Sequence, residues 1–172
     1  QHKKISLKHM KGEFQVINAV TALRVLDILT KQGTIEISEA RIKKSFSNAT
    51  WDARMQIRGN MIIDCAHNID GFKALAKELS RYKDKKKIMV LGFSNDKDIK
   101  AIAKILQPIH AQIILTKSSN AKAADPSKIK NWFDNAKIIE RPIEALAYAK
   151  KMVSRKDVIV IAGSIYMIGE VY

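Results

Sequence analysis

The sequence predicts an α/β protein: a Rossmann-like, mostly parallel sheet with helices on both faces, preceded by a short helical segment. Three observations predict it. From Lys87 onward, short runs of apolar and β-branched residues alternate with stretches of helical periodicity, as strands covered on both faces require. Before Thr50 the two longer patterned stretches, 12–31 and 38–46, read as helices. Small, polar and charged residues crowd the positions just after each apolar run, where an open α/β sheet keeps its ligand groove.

The elements follow in order. Val16, Ala19, Val20, Leu23, Leu26 and Ile28 predict an amphipathic helix from Gly12 to about Lys31. Gln32-Gly33 ends it, Ile35 to Ile37 is a brief extended link, and Ser38 with Glu39 opens a second helix through Phe46. The polar break at 47–50 is the expected boundary between a first domain, 1–50, and a second, 51–172. Met55 to Ile57 and Met61 to Asp64 around Gly59-Asn60 read as a hairpin. Strands are expected at 87–92, 112–116, 137–139 and 158–162, and helices at 71–82, 99–106, 126–133 and 142–153. The first 13 or so residues carry no pattern that assigns them.

The chain has 172 residues, of which 47% are hydrophobic, enough for a sizeable core. No apolar run approaches the roughly 20 residues of a membrane span, and no secretory segment opens the chain, so a soluble, cytoplasmic protein is expected. Cys65 is the single cysteine, which excludes an internal disulfide and a cysteine metal cluster. The chain does not begin with Met, as expected of a piece of a longer protein. Its net charge of +14 would suit a nucleic-acid surface, but the lysines are dispersed and aromatic content is 6%, so a solvated Lys-rich surface is the better reading.

Several residues could carry chemistry. Asp64 and His67 follow the hairpin across a turn, where they could face one ligand; Asp64 could equally cap the helix beginning near Asn68. Asp96-Lys97-Asp98 could hold a cation or a ribose, and is also an ordinary helix start. Gly163-Ser164 permits close approach of a ligand or simply makes a tight turn. The four histidines match no zinc spacing, Ser164 lacks a nucleophile elbow, and neither a phosphate-binding Gly-x-x-x-x-Gly-Lys-Ser/Thr loop nor a dinucleotide fingerprint is present.

The order of the motifs is more informative than any one of them. Gly12-x-x-Gln15-x-x-Asn18-Ala19, Trp51-x-x-Arg54, Asp64-x-Ala66-His67-Asn68, Asp96-Lys97-Asp98, the segment 116–123 and Gly163-Ser164-x-Tyr166 together resemble the folylpolyglutamate synthase and dihydrofolate synthase family of Mur ligases. The resemblance runs from about Gly12 to Gly169. It implies the helical end of a central ATP-binding domain followed by a carboxyl-terminal ligase domain. The implied reaction, in folate and one-carbon metabolism, phosphorylates a carboxylate with ATP and magnesium and then adds L-glutamate to folate or a related pterin. A P-loop central domain, in cis or in trans, would hold the phosphates and metal, so that no metal ligand is expected here and the chain alone is expected to be inactive.

By the same resemblance, Asn18 faces adenine, Arg54 the phosphates, and Asp64 the ribose or adjacent groups. Arg54 and His67 are the implied catalytic residues. His67, Ser164 and Tyr166 help to place glutamate, Asp96 and Lys97 sit on a loop of the cleft, and Lys122 adds a cation for a carboxylate. The family pattern has His at position 14, Pro-Gly at 52–53, Gly at 65 and Arg at 122, where this chain has Phe14, Asp52-Ala53, Cys65 and Lys122. Lys122 offers a point charge in place of a two-pronged clamp, which bears on the substrate more than on the reaction class. The alternative expectations are a free-standing binding or regulatory domain of the same fold, or a basic nucleic-acid-binding domain.

Overall fold

The computed structural model describes residues 4–172. The chain divides into two compact units, 1–54 and 55–172. That division falls four residues beyond the polar break at Thr50.

The first unit is helical. α1 spans Glu13–Lys31 and α2 spans Glu39–Asn48. Ser38 caps α2, its hydroxyl accepting from the Arg41 N–H at 3.3 Å. α1 is as long as its periodicity predicts, yet Val16, Ile17, Val20, Val25 and Ile28 are exposed and only Gln15 is buried. The Ile35–Ile37 link forms no strand.

The second unit is a six-stranded sheet of order β1-β2-β6-β3-β4-β5. Its strands are β1 (Gln56–Arg58), β2 (Met61–Ile63), β3 (Lys87–Leu91), β4 (Gln112–Leu115), β5 (Lys137–Ile138) and β6 (Val158–Ala162). β1 and β2 form the expected antiparallel hairpin, with Arg58 opposite Met61 and Gly59 at φ +60, which the turn's first position requires. The remaining pairings are parallel. β3 and β6 are buried along their whole length, which accounts for their unbroken apolar sequence.

The connections through α3 (Ile69–Leu79), α4 (Ile99–Leu106) and α5 (Pro126–Ile129) all step one way along the sheet, from β2 towards β5. α6 (Pro142–Met152) carries the chain back to β6, between β2 and β3. Right-handed crossovers therefore place α3 and α4, which pack together, on one face, and α6 with α7 (Ile165–Val171) on the other. Loops leaving β3 and β6 depart to opposite faces, and a crevice opens at such a reversal.

Three details differ from expectation. α7 was not predicted. The helix expected over 126–133 is a single α-turn followed by a tighter turn at Lys130–Trp132. Asn68, and not Asp64, caps α3, its Oδ1 accepting from the Gly71 N–H at 2.8 Å.

Candidate active site

Close approach of two glycines shapes the crevice. Gly163 has φ +111, and a Cβ there would lie 2.3 Å from the Gly92 carbonyl oxygen. The glycine therefore serves backbone against backbone, between the ends of β6 and β3. Beyond Gly92 the chain pairs with the segment after β4: Ala124 N–H donates to Phe93 O and Asn95 N–H to Lys122 O, each at 2.8 Å. Phe93 anchors this strap by packing its ring between Phe72 and Phe133, with centroids 5.8 and 5.9 Å away.

The result is a cavity of about 230 Å³ lined by His67, Ser94, Asp96, Lys97, Lys122, Ser164, Ile165 and Tyr166. Residues from four strand-end loops, 99 positions apart in the chain from His67 to Tyr166 but lying on one sheet edge, thus share one space. Every substrate-side residue singled out above is there. Ser94 was not singled out, although its place just after β3 is the signal that points to it.

The electrostatics are cationic. Lys97 donates to Asp96 at 2.7 Å, and this hydrogen bond, with the ammonium charge, holds the Asp96 carboxyl below the usual carboxylate range. Lys122 is exposed at the rim, its backbone held by Asn120 Oδ1 at 2.8 Å. His67 Nδ1 lies 2.8 Å from Cys65 O. A carbonyl can only accept, so the contact calls for a proton on Nδ1, and when the ring is neutral this leaves Nε2 as an acceptor. Ser164 is buried at the start of α7, yet its hydroxyl makes no capping bond.

Asp64 does not line this cavity. It is buried, with Oδ2 accepting from Met55 N–H and Oδ1 from Ala66 N–H, both at 2.8 Å.

The first unit has its own cavity, of about 650 Å³, lined by residues that include Gln15, Asn18, Trp51 and Arg54. That volume lies within the roughly 300–1,000 Å³ of ligand pockets. Asn18 Nδ2 donates to Gln15 Oε1 at 3.1 Å, which leaves its carbonyl oxygen as an acceptor. Arg54 brings a guanidinium suited to phosphate oxygens. Amide, indole and guanidinium together suit a base and an anion. Among the described residues no group of three or more His, Cys, Asp or Glu is placed to hold a metal ion, so no role for magnesium is assigned to them.

Residues 53–165 match the family model described as Mur ligase, glutamate ligase domain. The chain belongs to this family. Among its relatives are the "Probable dihydrofolate synthetase" of Schizosaccharomyces pombe, 28% identical over 95% of this chain and 43% of that protein. The UDP-N-acetylmuramoyl-L-alanyl-D-glutamate--2,6-diaminopimelate ligase of Buchnera aphidicola is 31% identical over 88% of this chain and 32% of that one. The folylpolyglutamate synthase of Mycobacterium tuberculosis, solved with ADP and AMPPCP, is 26% identical, with a TM-score of 0.81 over 94% of this chain and 40% of that one. This Mur ligase chain therefore spans less than half the length of these relatives. No helix among the described residues is long and apolar enough to cross a membrane.

Proposed function

We propose that the chain is the carboxyl-terminal portion of an ATP-dependent ligase that joins L-glutamate to folate or a related pterin. The observation that carries this reading is the cavity at the carboxyl edge of the sheet. It combines two lysines, two hydroxyl-bearing serines, a tyrosine and a histidine whose Nδ1 is turned to the Cys65 carbonyl, a set suited to an amino acid bearing carboxylates and an amine. The relatives' ligase names and the bound nucleotides of the mycobacterial enzyme support the reaction class.

In the proposed reaction a carboxylate oxygen of the acceptor attacks the γ-phosphorus of ATP, and ADP leaves with the electrons of the broken P–O bond. The glutamate amine, after giving up a proton, then attacks the acyl carbon. Phosphate leaves with the electrons of the C–O bond and takes up the second proton that the nitrogen sheds, and the amide remains. Arg54 would offset charge on the transferred phosphoryl group, and Asn18 would accept from an adenine amino group in the same cavity. His67 Nε2 would accept from the incoming ammonium, while Lys97, Lys122, Ser164 and Tyr166 hold its carboxylates. Asp64 is assigned to the nucleotide side of the site only through the family resemblance. Since no phosphate-cradling loop is present in the sequence, the chain would not turn over alone and would need a P-loop domain in cis or in trans.

The parent ligase should show glutamate-dependent ADP release with a pterin acceptor, and the 172-residue chain alone should show none. Arg54→Ala and His67→Ala should each lower turnover about 10²–10³-fold, as loss of one transition-state contact does, without changing the melting temperature. Turnover by the isolated chain, or undiminished turnover by both variants, would refute the assignment. The 31% identity to the diaminopimelate ligase makes 2,6-diaminopimelate the competitor to include, since faster turnover with it would replace glutamate as the substrate.

A further inference from the structure

Asp64 N–H donates to Ile161 O at 3.0 Å, so its backbone is locked to the end of β6. Its side chain is only 5% exposed, yet both carboxylate oxygens are engaged by backbone donors, those of Met55 and Ala66. A carboxylate is the one side chain of this length that offers two acceptors and no donor. Asparagine would keep one N–H and set its own NH₂ against the other.

The two bonds fall at consequential places. Met55 has φ +47 and directly follows Arg54 in the chain, so its left-handed backbone needs an external hold. Ala66 stands between Cys65, whose carbonyl receives the His67 Nδ1 proton, and His67 itself. Ala66 O in turn accepts from Gly163 N–H at 2.8 Å, which ties the turn to the neighbouring strand end. With Ala66 fixed from both its N–H and its carbonyl, the Cys65 carbonyl is aimed at the imidazole.

We propose that Asp64 is a positioning residue: by holding the N–H groups of Met55 and Ala66 it sets the turn that keeps His67 in the Nδ1–H tautomer, with Nε2 bare towards the cavity. The tautomer follows from this geometry alone; its value for receiving an amine rests on the ligase reading above. Asp64 thus acts on His67 through the turn.

The test uses the ¹⁵N-labelled 172-residue chain, with His67→Ala to assign the ring signals. In the wild type, two-bond ¹H–¹⁵N correlations should show the neutral His67 ring protonated at Nδ1 and bare at Nε2, and the Met55 and Ala66 amides should exchange slowly. In Asp64→Asn one of those amides should exchange at least tenfold faster and His67 should become a mixture of tautomers; Asp64→Ala should do the same at both amides. An Nε2–H tautomer in the wild type overturns the proposal. So does an unchanged His67 ring in variants whose Met55 and Ala66 amides have lost protection. Should both variants unfold, the wild-type ring and amides decide alone. In the parent ligase, Asp64→Asn should lower kcat together with the change of tautomer. A lowered kcat with an unchanged tautomer would overturn the positioning role. Failure of the ligase assay itself would leave the tautomer result standing, so the two claims fail separately.

Discussion

Replacing Gly163 by alanine tests the geometry on which the cavity depends. The φ of +111 is one that L side chains rarely adopt, and holding alanine there costs about 1–3 kcal/mol. The added Cβ would also meet Gly92 O at 2.3 Å, Gly92 C at 3.1 Å and Gly92 N at 3.3 Å. These are backbone atoms of β3's end, which cannot rotate away, so relief means separating two paired strand ends at about 1–3 kcal/mol more. Alanine recovers about 0.5–1 kcal/mol through the unfolded chain, which leaves a net loss of about 3 kcal/mol. For a unit of this size that lowers Tm by about 12 °C. Urea and thermal melts of Gly163→Ala should show this with an unchanged m-value, and glutamate should bind more weakly because the loops carrying Ser94 and Ser164 move apart. Gly169→Ala is the internal control. Its Cβ would meet nothing within 4 Å and it lies in α7, so that variant should gain about 0.5–1 kcal/mol. A Gly163→Ala chain that melts with the wild type beside a normal Gly169→Ala control would refute the close-approach argument.

Lys122→Ala should weaken glutamate binding by calorimetry about tenfold without altering Tm, since the side chain is exposed at the cavity rim, and Lys122→Arg should restore it through a two-pronged contact. Phe93→Ala should cost about 3–5 kcal/mol in urea melts, because its ring is 2% exposed and packs against both Phe72 and Phe133. Asp157 is held below its ordinary 3.8 by hydrogen bonds from Ser154, first of all the backbone N–H. A depressed carboxylate stabilises fully above the unfolded value and loses that contribution as pH falls from 3.8 through the folded one, so Asp157→Asn should flatten the acid limb of Tm against pH in that window.

The sheet was legible because its central strands are bounded apolar runs, and β3 and β6 have no polar residue between Ile88 and Leu91 or Val158 and Ala162 to blur their ends. α7 was not legible. It has seven residues, contains Gly169, and begins at a serine that makes no capping bond, so neither period nor cap marks it. α5 was read too long because Asp125-Pro126 signals a helix start strongly, with Asp125 accepting from Ser127 N–H at 2.9 Å, while nothing in the sequence says that the second turn tightens. The cavity residues were legible for a topological reason: in a doubly wound sheet the positions after each strand must share one edge, whatever their separation in sequence.

Partnerships between side chains and backbone are a different matter, and Asp64 and Ala53 show why. From sequence, Asp64 had two open roles, towards a ligand or at a helix cap, because an aspartate after a strand suits both. What decides its geometry is which N–H groups the turn aims at it, and those belong to Met55 and Ala66, nine residues before and two after. Such a contact leaves no period or spacing to read. Ala53 is the complementary case. The family pattern has glycine there, and Ala53 has φ +54 with 5% of its surface exposed, which is the left-handed backbone that glycine occupies without strain. The alanine keeps a glycine's backbone and pays for it in strain while its methyl is buried. The substitution at position 53 is thus accommodated by packing within a left-handed conformation, and the backbone entering Arg54 need not be rerouted to accept it.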